Sequence, residues 1–214
     1  MAKAIAREMG YRYIDSGAMY RGITYFVQQH GISLEELQSM SPDQMNAILD
    51  QIHLSFGIDP ETGNSELYLN GINIEKKIRD LKVSEWVSPV SAIPAIRHRM
   101  VALQQHYGRL KEIVMDGRDI GTKVFPDAEL KIFMTARNEV RAKRRFDELS
   151  ANGFMVTMDE VIDNIEKRDF TDTHRAESPL RQAEDAIVLD NTNMNEQEQF
   201  DFAMNLIRSL VEVE

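Results

Sequence analysis

Four short apolar runs, each followed by a helical pattern, constrain this chain more than any other feature. They are "YRYI" at 11–14, "EIVM" at 112–115, "KIFM" at 131–134 and "AIVL" at 186–189. Strands kept apart by helices cannot close as hairpins and must pair in parallel through crossovers. The pattern predicts an α/β chain with a doubly wound, mainly parallel sheet and helices on both faces. In such sheets ligands bind beyond the carboxyl ends of the strands, so the residues that end the strands are the ones to examine.

The helices between them are marked in the sequence. Ala2 to Met9 reads as a helix stopped by Gly10, and Ala18 to His30 as a second. "SPDQ" places Ser41, Pro42 and Gln44 as a capping box with proline at the first helical position. Helical periodicity returns from about Val83 to His106, over Asn138 to Asn152, from Met158 to about Thr173, and over Glu196 to Val211. One region breaks the scheme. "IHLSFGI", "SELYLNG" and "INIE", with turn residues between them, alternate like antiparallel strands. This β-rich island, about Ile52 to Ile74, reads as an inserted subdomain.

Three strand ends carry groups able to do chemistry. After the first strand come Asp15, Ser16 and Gly17, with Tyr20 and Arg21 one turn on. Taken alone they read as a helix cap and a tight turn. After the second come Asp116, Gly117, Arg118 and Asp119. A carboxylate ending a buried strand is where hydrated magnesium is held in phosphoryl transfer, while a loop salt bridge is the plainer reading. The third set is Arg168, Asp172 and Arg175, spaced by four and three, as on one helical face. The plainer reading there is a surface ion-pair ladder. Arg97, just after a proline, would alone belong to a solvated helix face.

Composition narrows the function classes. The net charge is −10, which argues against a general nucleic-acid binder. Yet 11 of 16 arginines lie between Arg97 and Arg181, as if gathered for a local anion. There is no cysteine for disulfides or thiolate metal sites, and the five histidines form no H-E-x-x-H pattern. No apolar run approaches the ~20 residues of a membrane span. The charged "MAKAIAREMG" has no signal-peptide core, so a cytoplasmic protein that binds neither membrane nor nucleic acid is the expectation.

Together the segments "YIDSGAMYR", "PVSAIPAIR", "VMDGRDIGTKVFPDA", "RAKRRF", "RDFTDTHRAESPL" and "VLDNT", in this order, resemble bacterial cytidylate kinase over essentially the whole chain. The resemblance implies a P-loop-type parallel core (residues 1–40 and 107–214), a CMP-binding insert (about 41–106) and a helical lid (about 146–182). It implies transfer of the ATP γ-phosphate to CMP, and to dCMP, giving CDP and ADP in pyrimidine nucleotide metabolism, with Mg2+ accompanying ATP. A monomer is expected.

The same resemblance distributes roles. Ser16, Arg97, Arg118 and Asp119 would surround the cytosine, and Tyr20 would be among the substrate-binding residues. Ser88 and Asp172 would hold the ribose, with Arg168 beside them. Arg21, Arg118 and Arg175 would gather the CMP phosphate, and Arg118, Arg168, Arg175 and Asp116 would serve the transfer. Asp116 would hold the metal through water. Arg144 and Arg145 would lie on the ATP side, a solvated helix face being the other reading. The family also has a glycine-rich loop ending in Gly-Lys-Ser/Thr ahead of its first helix. No such motif occurs in these 214 residues, so the chain reads as starting inside that helix. A non-catalytic CMP-binding protein is therefore the competing expectation.

Overall fold

The computed structural model describes residues 1–61, 63–151 and 153–211, without the side chains of Leu81 and Val211. The chain opens with α1 (Ala2–Met9), stopped by Gly10 at φ 69°, a left-handed residue whose N–H closes the last turn. β1 (Arg12–Asp15) leads straight into α2 (Ser16–Gln29). Asp15 caps that helix, accepting from the Ala18 N–H at 2.8 Å. Two short helices follow, α3 (Leu34–Ser39) and α4 (Pro42–Leu49). Both start in reciprocal capping boxes, Ser33 with Glu36 and Ser41 with Gln44. The first of these was not anticipated from periodicity, since six residues are too few to show it.

The β-rich island is a three-stranded antiparallel sheet of β2 (Leu54–Ile58), β3 (Ser65–Leu69) and β4 (Ile72–Asn73). A single 3-10 turn, Lys77–Arg79, leads into α5 (Leu81–Ser91), then α6 (Pro94–Gly108). The continuous helix expected over 83–106 is thus two, broken where Pro94 starts a new one. β5 (Ile113–Asp116), a wide helical turn at Ile120–Val124, β6 (Ile132–Thr135), α7 (Asn138–Ala151), α8 (Met158–His174), β7 (Ile187–Asp190) and α9 (Glu196–Val211) complete the order. The expected end of α7 at Asn152 falls outside the described residues.

The parallel strands are where they were expected, but not in one continuous ladder. β1 pairs with β5, and β6 with β7, both in parallel. Among the described residues no ladder joins the two pairs. Each pair is two strands wide, so every strand keeps an unpaired edge. Met134, Ile187 and Val188 remain exposed as a result.

The larger apolar core lies elsewhere, around α2. Ala18, Met19, Ile23 and Val27 pack with Leu54, Leu67, Ile74, Ile78, Val90 and Ile96, so the island, α5 and α6 share one core with α2. Gly22 permits the approach: a Cβ there would stand 3.0 Å from methyls of Leu54 and Leu67. A smaller cluster of Ile5, Ala203 and Met204 joins α1 to α9. The well-packed side therefore fixes α2, and with it the turn that opens the cleft.

Candidate active site

The candidate site lies at the carboxyl ends of β1 and β5. In the parallel register Asp15 lies opposite Asp116, so two carboxylates meet at one edge. The hydroxyl of Tyr13 donates to both carboxylate oxygens of Asp116, at 3.1 Å each. Asp15 is held by Arg79 at 2.9 Å, and Arg79 also binds Glu75. Crowding by protein atoms, and then the charge of Asp15, push the Asp116 carboxyl up to about 6. One edge of Asp116 nevertheless stays open to solvent. A carboxylate that resists ionising beside another one fits a cation that would relieve both. Among the described residues no three of His, Cys, Asp and Glu are grouped as a metal cage.

Ser16 sits at the tightest point. Its hydroxyl donates to the Asp116 carbonyl at 2.6 Å, which joins the two strand-end turns and leaves the Ser16 oxygen free to accept. A Cβ on Gly117 would lie 2.1 Å from that oxygen. Only glycine fits there.

Beyond Gly117 the site divides. One part is a buried chain of alternating charges. The Arg97 guanidinium donates to the Ser91 carbonyl at 2.9 Å and to Asp119 at 2.5 Å. Both side chains of that ion pair are almost fully buried. Asp119 faces Arg175 at 3.8 Å, Arg175 binds Asp172 at 3.2 Å, and Asp172 binds Arg118 at 3.1 Å. Tyr20 borders this chain, with the Arg97 guanidinium carbon 5.6 Å from its ring centre. Burial pushes the Tyr20 hydroxyl up to about 12, against the pull of Arg97. Ser88 is buried on α5, in the turn whose Ser91 carbonyl holds Arg97.

The other part is cationic. Arg21 is buried on α2 and donates to the Ser84 hydroxyl at 2.7 Å and the Ile78 carbonyl at 3.4 Å. Burial, and then Arg168, Arg79 and Arg145, bring it down to about 10. Arg168 is lowered by burial and by Arg118 and Arg145, only partly opposed by Asp172, and its Nε has no partner. Among the described residues Arg21 and Arg168 have no carboxylate ion partner, and between them they feel the neighbouring guanidiniums of Arg79, Arg118 and Arg145, which are themselves paired with Asp15 and Glu75, Asp172 and Glu148. Like charges kept together against such repulsion mark an anion site.

The sequence pattern placed most of these residues together, and two arginines differently. Arg168, Asp172 and Arg175 were expected on one helical face. α8 ends at His174, and Arg175 is its extended C-cap at ψ 144°. Its Nε donates to the Ser178 carbonyl at 2.8 Å, and its free nitrogen turns to Asp119, not to the cationic group. Arg144 and Arg145, adjacent in sequence, part company. Arg144 holds the turn after β7, donating to the Asn191 carbonyl at 2.8 Å and the Met194 carbonyl at 3.2 Å. Arg145 pairs with Glu148 at 2.7 Å and stands at the border of the cationic group. Tyr13, Arg79 and Gln104 were missed. Only the seven-residue step from Arg97 to Gln104 along α6 could have pointed to the last of them.

Comparison with known proteins gives a consistent result. The family model described as Cytidylate kinase matches residues 1–209. The chain is 53% identical over 199 residues to the cytidylate kinase of Parabacteroides distasonis, covering 93% of this chain and 86% of that protein. It is 51% identical to that of Bacteroides fragilis, over 95% of this chain and 88% of the relative. With the Cytophaga hutchinsonii enzyme it shares 50% over 100% of this chain and 89% of the relative.

Proposed function

The chain belongs to the cytidylate kinase family, and from that premise we propose how its cleft takes a pyrimidine nucleoside monophosphate and presents it to ATP. The reaction is attack of a phosphate oxygen of CMP on the γ-phosphorus of ATP, giving CDP and ADP. Such transfer depends on positioning and charge stabilisation more than on covalent chemistry.

The observation that carries the assignment of residues is the division of charge within the cleft. The base belongs at the neutralised end. Asp119 can accept from an exocyclic amine, and Arg97 and Arg175 can donate to a carbonyl and a ring nitrogen. Ser16, with its own proton engaged, offers an acceptor. Asp172 accepts from ribose hydroxyls between the two ends, with Ser88 on the facing helix. The phosphate belongs at the cationic end, with Arg21, Arg118 and Arg168 as its ligands and Arg145 beside them. Arg175 is thereby assigned to the base side, because its free nitrogen faces Asp119. A magnesium ion accompanying ATP would meet Asp116 and Asp15. Two carboxylates fit that ion, which keeps several waters and takes its remaining ligands from phosphates. It would supply charge neutralisation at the transferring group.

Nothing in the comparisons or the cleft favours a CMP-binding protein without transfer. CMP, dCMP, AMP and GMP titrated calorimetrically into the chain test the pocket. We expect CMP to bind at least tenfold tighter than either purine nucleotide, since a few buried charge-assisted hydrogen bonds suffice for that. Equal affinity for AMP would remove the base assignment.

A further inference from the structure

Gln104 is buried to 1% exposure in the interior face of α6, and neither its amide oxygen nor its amide nitrogen has a hydrogen-bond partner. A leucine would fill the same space without leaving buried polar groups unpaired. The surroundings give the amide a purpose. Two helical turns separate it from Arg97, so the two side chains project from the same face of α6. The Arg97 Nε is also buried without a partner, and so is the Tyr20 hydroxyl on α2. The carboxamide acts on that hydroxyl as a hydrogen-bonding neighbour and lowers an acidity constant that burial raises, so the two groups are within reach of each other.

These groups are complementary. Arg97 Nε donates, the tyrosine hydroxyl both donates and accepts, and the amide offers one acceptor and two donors. Arg97, whose Nε is one of them, also holds Asp119 through its Nη2 and lies over the Tyr20 ring. We propose that Gln104 is a positioning residue for the nucleobase: with Tyr20 it forms a buried polar layer that closes into hydrogen-bonded register when a pyrimidine engages Arg97 and Asp119, fixing the planes of that guanidinium and carboxylate. The proposal rests on the base-pocket assignment above. A half-satisfied network in the empty protein and a satisfied one in the complex puts the gain where a ligand can collect it.

The test is calorimetric titration of the full chain and its variants with CMP and UMP, alongside thermal unfolding. Gln104→Leu is expected to weaken CMP binding about tenfold, the loss of one buried hydrogen bond, and to narrow the preference for CMP over UMP. Its melting temperature should hold or rise. Tyr20→Phe should weaken CMP similarly, and the double variant should be no weaker than the weaker single one within a factor of about two, because coupled groups do not add. Additive losses, or a Gln104→Leu protein with changed melting but unchanged CMP-to-UMP ratio, would overturn the proposal. If Gln104→Leu fails to fold, Tyr20→Phe carries the same expectation, and an unchanged ratio in it overturns the proposal equally. Arg97→Ala separates the two claims. If it abolishes the preference while Gln104→Leu does nothing, only the positioning role falls. If Arg97→Ala leaves the preference intact, the base pocket itself is misassigned.

Discussion

One end of the cleft neutralises its arginines, and the other leaves them charged. From Arg97 through Asp119, Arg175 and Asp172 to Arg118, cation and anion alternate across α6, the loop after β5 and the end of α8. A few residues away Arg21 and Arg168, without a carboxylate ion partner among the described residues, hold their protons less tightly because burial and the neighbouring guanidiniums oppose their charge. The same side chain serves two purposes according to its neighbours. Where carboxylates interleave, the guanidiniums are held in fixed planes that can read a base. Where carboxylates are too few, repulsion is stored until an anion arrives. Stability and function should therefore respond to mutation in opposite ways at the two ends.

The largest effect is expected at the neutralised end. Asp119→Ala would leave Arg97 buried and uncompensated, at about 3–5 kcal/mol. For a chain of this length that is a fall in melting temperature of roughly 6–20 °C. A thermal scan showing no loss would mean that Arg97 finds another partner and that the alternation is not structural.

At the cationic end the sign reverses. Arg168→Gln removes a charge opposed chiefly by its neighbours, so the empty protein should melt no lower than wild type. The same change should weaken CMP binding by about ten- to a hundredfold, the value of a charge-assisted hydrogen bond of ~1.5–3 kcal/mol, while cytidine, which lacks the phosphate, binds as before. Equal losses for CMP and cytidine would place Arg168 with the sugar or base.

The seam between the two ends gives a third, smaller effect. Gly117→Ala puts a methyl against the Ser16 oxygen. The Ser16 hydroxyl must leave its bond to the Asp116 carbonyl and the Ile120 side chain must give way, at about 1–3 kcal/mol. Gly121→Ala is the control. Its nearest neighbour would be the Lys131 stem at 3.2 Å, a milder contact than that at Gly117, and a drop in melting temperature as large as that of Gly117→Ala would deny the seam any special tightness.

The smallest effect concerns pH. The Asp116 carboxyl is raised to about 6 in the folded protein, above the ordinary aspartate value of about 3.9. Folding therefore favours its protonated form. Its contribution to stability is complete below about pH 4 and is lost as pH rises through about 6. Asp116→Asn should flatten that part of the stability profile relative to wild type and melt higher at pH 8. Because one edge of Asp116 meets water, the difference should be modest. Parallel profiles for the two proteins would show that Asp116 ionises normally.

Much of this was legible before the fold. The strand ends Asp15–Ser16–Gly17 and Asp116–Gly117–Arg118–Asp119 stand side by side because parallel strands bring their carboxyl ends to one edge, and that follows from the alternation of strands and helices. The capping residues fixed α4, and Gly10 fixed the stop of α1. α3 was too short to show a period. The break between α5 and α6 was hidden because helical periodicity resumes at once after Pro94. Arg175 was expected within α8 and is instead its extended C-cap, yet its side chain still meets Asp172 three residues back as the spacing implied.

The sequence by itself determined which residues could serve, since residue type and order along strands and helices are local properties and are written in the chain. Only the tertiary structure decided which arginines are neutralised. That depends on which carboxylates lie within a few ångströms across elements far apart in sequence, and on burial, which makes such distances count. Asp119 meets Arg97 and Arg175, and Asp172 meets Arg118, because α6 and α8 close over the loop after β5. The nearness of Gln104 to Tyr20 has the same origin: two helices packed in one core bring together polar groups that no spacing rule connects.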